Sequence, residues 1–286
     1  MSPATKTDPA ARPLRRLLLA LGASVPGERA AAAAARLASD IRAEIRALFV
    51  EETALLRVAE LPFAREIDYR SGLELPLESG AVRGALAGLA AEARRRLEAA
   101  TGRVGVRFSF DVVRGEPGPS VAAAALEGGA DLVFVHGAGP PRATSGDSIA
   151  FLLDTTEPLA RPLLVVTRAL ERVRRALVAV PDPADAPALI AAATELLGAA
   201  AVDLLVLSGE ERRAERIERE TREAAPPGLV GGVATRVAAA TGERLAAVAR
   251  MTGCDALVVS LRELRRENVS PSAAAALVAC PVLVVP

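Results

Sequence analysis

Aromatic residues are nearly missing from this chain: they make up 2% of its 286 positions, with no Trp, one Tyr and six Phe. A surface that stacks nucleobases needs such rings, so nucleic-acid binding by stacking is excluded. Histidine occurs once, at His136, which leaves histidine-based metal sites and Ser-His-Asp triads without material. Lysine also occurs once, at Lys6, and there is no Gly-Lys-Ser/Thr phosphate loop. The two cysteines, Cys254 and Cys280, are too few for a disulfide scaffold and lack a C-x-x-C spacing. That usage points to the cytoplasm. No apolar run approaches the ~20 residues that span a bilayer, so membrane insertion is not expected. Neither sign of charge dominates: Lys plus Arg and Asp plus Glu each total 35, so no net field draws the chain to nucleic acid or anionic lipid.

What is abundant is short aliphatic sequence. Hydrophobic residues make up 51% of the chain, so the core must be built from Leu, Val, Ile and Ala. The length suits one large or two modest domains. Arg15-Arg-Leu-Leu-Leu-Ala-Leu-Gly-Ala-Ser24 superficially resembles a twin-arginine signal. The same pattern recurs internally as Arg174-Arg-Ala-Leu-Val-Ala-Val180, and both read as first strands of a domain.

The polar stretch 1–13 reads as a disordered tail. Strands are then predicted at 17–21, 45–50, 104–113, 131–136 and 161–166, with helices at 26–44, 81–100, 119–126 and 148–156. Between the second strand and its helix lies an insertion, 53–79, whose Leu55, Leu56, Leu61, Phe63, Ile67 and Tyr69 are expected to pack over the domain. The alternation then restarts. Strands are predicted at 176–180, 202–207, 229–237 (broken by glycine), 256–259 and 282–285, and helices at 184–197, 210–224, 243–251 and 272–278. Strands alternating with helices imply right-handed βαβ units and a parallel, doubly wound sheet, here twice over: domains 14–170 and 171–286.

The repeat is visible in motifs. Gly129-Ala-Asp-Leu-Val-Phe-Val135 answers to Gly253-Cys-Asp-Ala-Leu-Val-Val259, and Arg161-Pro-Leu-Leu-Val-Val166 to Ala279-Cys-Pro-Val-Leu-Val-Val285. In these residues and their order, the chain resembles the universal stress protein family in its tandem two-domain form. The resemblance implies five parallel strands per domain, an adenine nucleotide hydrolase-like fold, and pairing of the two domains along their final strands as an internal pseudo-dimer. Nucleotide-binding members of that family carry an aspartate after the first strand, a G-x2-G after the fourth, and a Gly-Ser/Thr pair about nine residues on. Here Gly22-Ala23-Ser24 stands in place of the first aspartate, and His136 replaces the leading glycine ahead of Gly139. Asp147 follows Gly146 where a hydroxyl is expected. In the second copy Asp182 is displaced by one step, Ser260 and Glu263 replace the two glycines, and Asn268-Val269 the Gly-Ser pair.

Two readings fit the loop. Gly137, Gly139, Ser145, Gly146 and Ser148 form either a degenerate phosphate cradle or an ordinary turn capped by Ser145 or Asp147. His136 is either a ligand contact or a polar strand end, and Asp182 either holds a ribose or adenine edge or shapes a rigid turn. Cys254 and Cys280 precede neighbouring strands, as small core residues or as a redox pair. The expectation that follows is a non-catalytic stress-response protein acting through protein partners, with no cofactor and with further homodimerisation open. The alternative is an ATP- or AMP-binding module using the altered loop of the first copy. A slow ATPase comes third, for want of a nucleophile–base pair.

Overall fold

The computed structural model describes residues 15–22, 27–67, 72–137, 161–167, 170, 172–232, 234–278 and 280–286. Within them, one ten-stranded sheet runs through the molecule. The first half supplies β1 (Arg15–Gly22), β2 (Ala43–Glu52), β5 (Phe108–Gly115), β6 (Leu132–His136) and β7 (Leu163–Val166). The second supplies β8 (Arg175–Val180), β9 (Ala201–Leu207), β10 (Thr235–Val237), β11 (Ala256–Ser260) and β12 (Val282–Val285). The strand order is β10-β9-β8-β11-β12-β7-β6-β1-β2-β5, so each half winds outward from its first strand and returns on the other side. Every pairing of this sheet within a half is parallel. The halves join antiparallel through their last strands, with Leu283 opposite Leu164. This is the pairing that the resemblance implied.

The two faces of the sheet bury different side chains, as the period of two dictates. Leu17, Leu19 and Leu21 of β1 point into one core and Leu18 and Ala20 into the other. Over the first face lie α1 (Gly27–Asp40), α3 (Ser79–Val104), α5 (Ala186–Ala191) and α6 (Glu211–Ala224). Over the second lie α4 (Pro117–Glu127), α7 (Gly242–Thr252), α8 (Leu261–Arg266) and α9 (Pro271–Val278). Alanine lets these helices sit close: α1 buries Ala30, Ala31, Ala34 and Ala38. Sequences without bulky rings close a core in this way, by short distances between backbones.

The repeated Gly-x-Asp motif has a structural reason. Gly129 and Gly253 take the left-handed conformation, at φ +58° and +61°, where a side chain is disfavoured. Two residues on, Asp131 Oδ2 accepts the Arg16 N–H at 2.9 Å, and Asp255 Oδ2 accepts those of Arg174 and Arg175 at 2.8 and 2.9 Å. Each aspartate therefore ties the start of the fourth strand of its half to the start of the first.

Three expectations need correction. The insertion does not pack over the sheet: only Leu56 and Ala59 of α2 (Thr53–Ala59) are buried, while Leu55, Leu61, Phe63 and Ile67 stay exposed. Helical spacing puts Leu56 and Ala59 on one side of α2, and the chain beyond forms a separate hairpin of β3 (Arg65–Ile67) and β4 (Glu74–Pro76). Tyr69 lies outside the described residues. The strand expected at 229–237 is reduced to β10 and a lone bridge between Val230 and Val202, because Gly232 takes φ +65°. The helix expected at 184–197 starts as a 3-10 turn (Pro183–Asp185), becomes α5, and ends as a π-turn (Ala192–Leu196) where Thr194 Oγ1 donates to the Ile190 carbonyl. The tail 1–13 and the helix expected at 148–156 lie outside the described residues.

Candidate functional site

In an open α/β sheet the ligand crevice opens beyond the carboxyl ends of the strands, where the winding reverses. That point lies between β1 and β6 in the first half and between β8 and β11 in the second.

The second crevice is occupied by the chain itself. β11 ends at Ser260, whose Oγ accepts the Glu263 N–H at 3.2 Å and starts α8 at once, so a helix stands where a glycine loop would run. Glu263 is only 4% exposed, and its carboxylate lies 3.8 Å from Arg266. From the same helix, Arg262 Nη2 reaches Asp185 Oδ2 at 2.6 Å, spanning from α8 to the 3-10 turn that follows β8. Arg262 is largely exposed, so the pair stabilises the fold by about 1 kcal/mol or less. Its consequence is positional: it holds two sides of the crevice together.

Asp182 is likewise engaged in shaping the turn. Its Oδ1 accepts the Ala184 N–H at 3.1 Å, and its Oδ2 lies 3.9 Å from Arg213 Nη2, which also donates to the Pro181 carbonyl. Of the two readings, the capped rigid turn accounts for each of these contacts. A cleft of about 600 Å³ does open beside this region, between Thr241–Arg244 at the start of α7 and Glu267–Val269 after α8. Glu243 and Glu267 against Arg244 make its lining net acidic, which disfavours phosphate.

In the first half, β6 ends at His136, which is 3% exposed and aligned with Val166 of β7. Gly137 is buried, and its N–H donates to the Val166 carbonyl at 2.8 Å. That amide is committed to the sheet. Gly139, Ser145, Gly146, Asp147 and Ser148, with Ala23 and Ser24 after β1, lie outside the described residues.

Cys254 and Cys280 are brought together where β11 and β12 begin, both against the second core. The Cys280 thiol hydrogen-bonds to Cys254, which lowers the pKa of Cys254 below the usual thiol value. The same contact, with burial, raises the pKa of Cys280. A second cavity, of about 340 Å³, lies at the opposite, amino ends of β1, β2 and β5. Its arginines are occupied: Arg16 donates to the Gly128 carbonyl at 3.0 Å and Arg46 to that of Ala124 at 3.4 Å. They thus cap the C-terminal end of α4.

Sequence spacing gave no hint of the Asp185–Arg262 and Asp182–Arg213 contacts, since only the fold joins positions so far apart. The α8 helix did have a signal, because Ser260 followed three residues later by Glu263 is a helix-start pattern.

No protein-family model matches the sequence, and no curated protein is significantly similar to it in sequence. Solved structures do match in fold. A universal stress protein from Archaeoglobus fulgidus DSM 4304 superposes with a TM-score of 0.61 at 14% identity, over 94% of this chain and 95% of that one. A putative universal stress protein from Pseudomonas aeruginosa UCBPP-PA14 gives 0.53 at 14% identity, over 96% and 93%. The cytoplasmic domain of a prokaryotic cation chloride cotransporter gives 0.52 at 13% identity, over 95% of both. This chain has the fold of those proteins: two α/β halves joined into one sheet.

Proposed function

We propose that this chain is a member of the universal stress protein family in tandem form, a non-catalytic cytoplasmic regulator that acts through contacts with proteins and whose nucleotide site has been lost. The observation that carries this reading is the second crevice, where α8 replaces the phosphate loop, Glu263 is buried at its start and Arg262 is clasped to Asp185. The commitment of the Gly137 N–H to Val166 supports the same reading for the first copy. A fold shared with the cytoplasmic domain of a transporter is compatible with a regulatory role, since there it belongs to a larger machine. Among the described residues, no helix is long and apolar enough to cross a membrane.

Titration of the purified chain with ATP and with AMP, followed by calorimetry, tests this proposal. The expected result is no saturable binding below about 1 mM, an interaction of some −4 kcal/mol. Micromolar binding of one equivalent per chain, abolished by Gly139→Val with the fold intact, would replace it by a module that binds nucleotide in its first copy.

A further inference from the structure

The chain holds two cysteines in 286 residues, and the fold brings both to one place. Cys254 lies just before β11 and Cys280 just before β12, strands paired in parallel with Leu257 opposite Val282. The Leu257 N–H donates to the Pro281 carbonyl at 2.9 Å, which holds the residue after Cys280 against β11. The two thiols are in hydrogen-bonding contact. Neighbouring strands lie about 4.8 Å apart, inside the roughly 4.4–6.8 Å between Cα atoms that a disulfide spans. The first half has the same joint without sulfur. There the Val133 N–H donates to the Pro162 carbonyl at 2.9 Å, and Ala130 and Arg161 stand where the second half has Cys254 and Cys280. The scaffold therefore needs a thiol at neither position, yet the second half carries one at both.

We propose that Cys254 and Cys280 are a redox-active dithiol, which a hydroperoxide converts to a disulfide across the amino ends of β11 and β12. The Cys254 thiolate attacks one peroxide oxygen; the O–O bond breaks, and the second oxygen leaves as water with the proton that Cys254 gave up. Cys280 then attacks the sulfenic sulfur of Cys254. The S–O bond breaks, the S–S bond forms, and the hydroxyl leaves as a second water with the proton of Cys280. Two electrons have passed from the thiols to the peroxide. Cys254 is the first to react because the hydrogen bond from Cys280 favours its thiolate, the form that attacks. It is 8% exposed and Cys280 more so, which gives a small oxidant access that a folded protein lacks. In a reducing compartment the pair rests as free thiols, and a disulfide there is transient and signals oxidant. The bridge closes residues 254–280, a loop that contains β11, α8 and α9 and with them Arg262 and Glu263 of the second crevice. Oxidation thus fastens the closed crevice and ties the seam strand β12 to β11.

Treatment of the reduced full chain with hydrogen peroxide, then denaturation, alkylation and mass spectrometry, tests this independently of any nucleotide titration. The expected product is a monomer lighter by two hydrogen atoms that takes up no alkylating agent, with the peptides of Cys254 and Cys280 linked. Dithiothreitol should restore both thiols. The oxidised chain should unfold at a higher urea concentration than the reduced one, because the closed loop restricts the unfolded state. Cys280→Ser should stop at the sulfenic acid of Cys254, trapped by dimedone, whereas Cys254→Ser should take no dimedone. Should Cys254→Ser disturb the circular dichroism spectrum, Cys254→Ala serves instead, since the first half holds alanine there. Two thiols still open to alkylation after peroxide, oxidation of both without a link, or a link only between separate chains would overturn the proposal. So would dimedone uptake by Cys254→Ser and none by Cys280→Ser.

Discussion

Phe134→Ala is expected to lower the free energy of unfolding by about 3–5 kcal/mol, at the upper end for a buried side chain. Phe134 and Phe49 are the largest of the fully buried side chains, in a core made otherwise mainly of Leu, Val, Ile and Ala. Phe134 lies on β6, between β1 and β7, facing the first core beside Leu132. Strands paired on both sides do not move inward readily, and short neighbours have no reach to refill the space. The cavity therefore persists, and cavity volume adds to the lost transfer energy. Urea denaturation reads the difference as a lower midpoint at unchanged slope. A loss below about 1 kcal/mol would mean the core collapses around the gap, contrary to this picture of rigid, closely spaced layers. Phe63→Ala is the useful contrast, because at 75% exposure it should change the stability of the separate chain by less than about 0.5 kcal/mol.

Leu283→Ala and Leu164→Ala should each cost about 2–5 kcal/mol, and together a sum that departs from additivity by about 0.5–3 kcal/mol. The two leucines face each other at the centre of the seam, both fully buried and both in the first core. Their coupling follows from shared contacts, since removing one already loosens the packing that the other would lose. Single domains are stable by only about 5–15 kcal/mol, so the double variant approaches the limit of folding. Because the seam is continuous with both halves, the halves should still unfold in one transition. Strict additivity, with two separated transitions, would show that β7 and β12 do not couple them.

The framework was open to sequence reading because its strands are short apolar runs closed by turn residues. Leu132–His136 and Val282–Val285 can hardly be anything but buried strands, and the charged run 210–224 keeps Ala214, Ile217 and Thr221 on one side. The internal repeat added order, since a Gly-x-Asp pair before two apolar runs implied the same structural joint twice. Other features were not legible. Phe63 and Ile67 are large and apolar, and composition alone cannot say whether such residues face a core or stand on an arm. Local periodicity is silent on 229–237, where glycine backbone freedom decides the outcome. The closure of the second crevice depends on Asp185 and Arg262, whose meeting is a product of the whole fold. Glu263 was visible as a departure from a glycine, yet its burial at the head of a helix followed only from seeing where β11 ends.

The functional reading depends on the two copies forming one body, with their last strands spent on each other so that outside partners must use another surface. Native-state amide hydrogen exchange across the seam tests this most directly. The account predicts that amides of Leu163–Val166 and Val282–Val285 bonded across or beside the seam exchange only by global unfolding, as slowly as those of β1 and β8. Seam amides that exchange orders of magnitude faster than β1 and β8, while both halves stay protected, would contradict it.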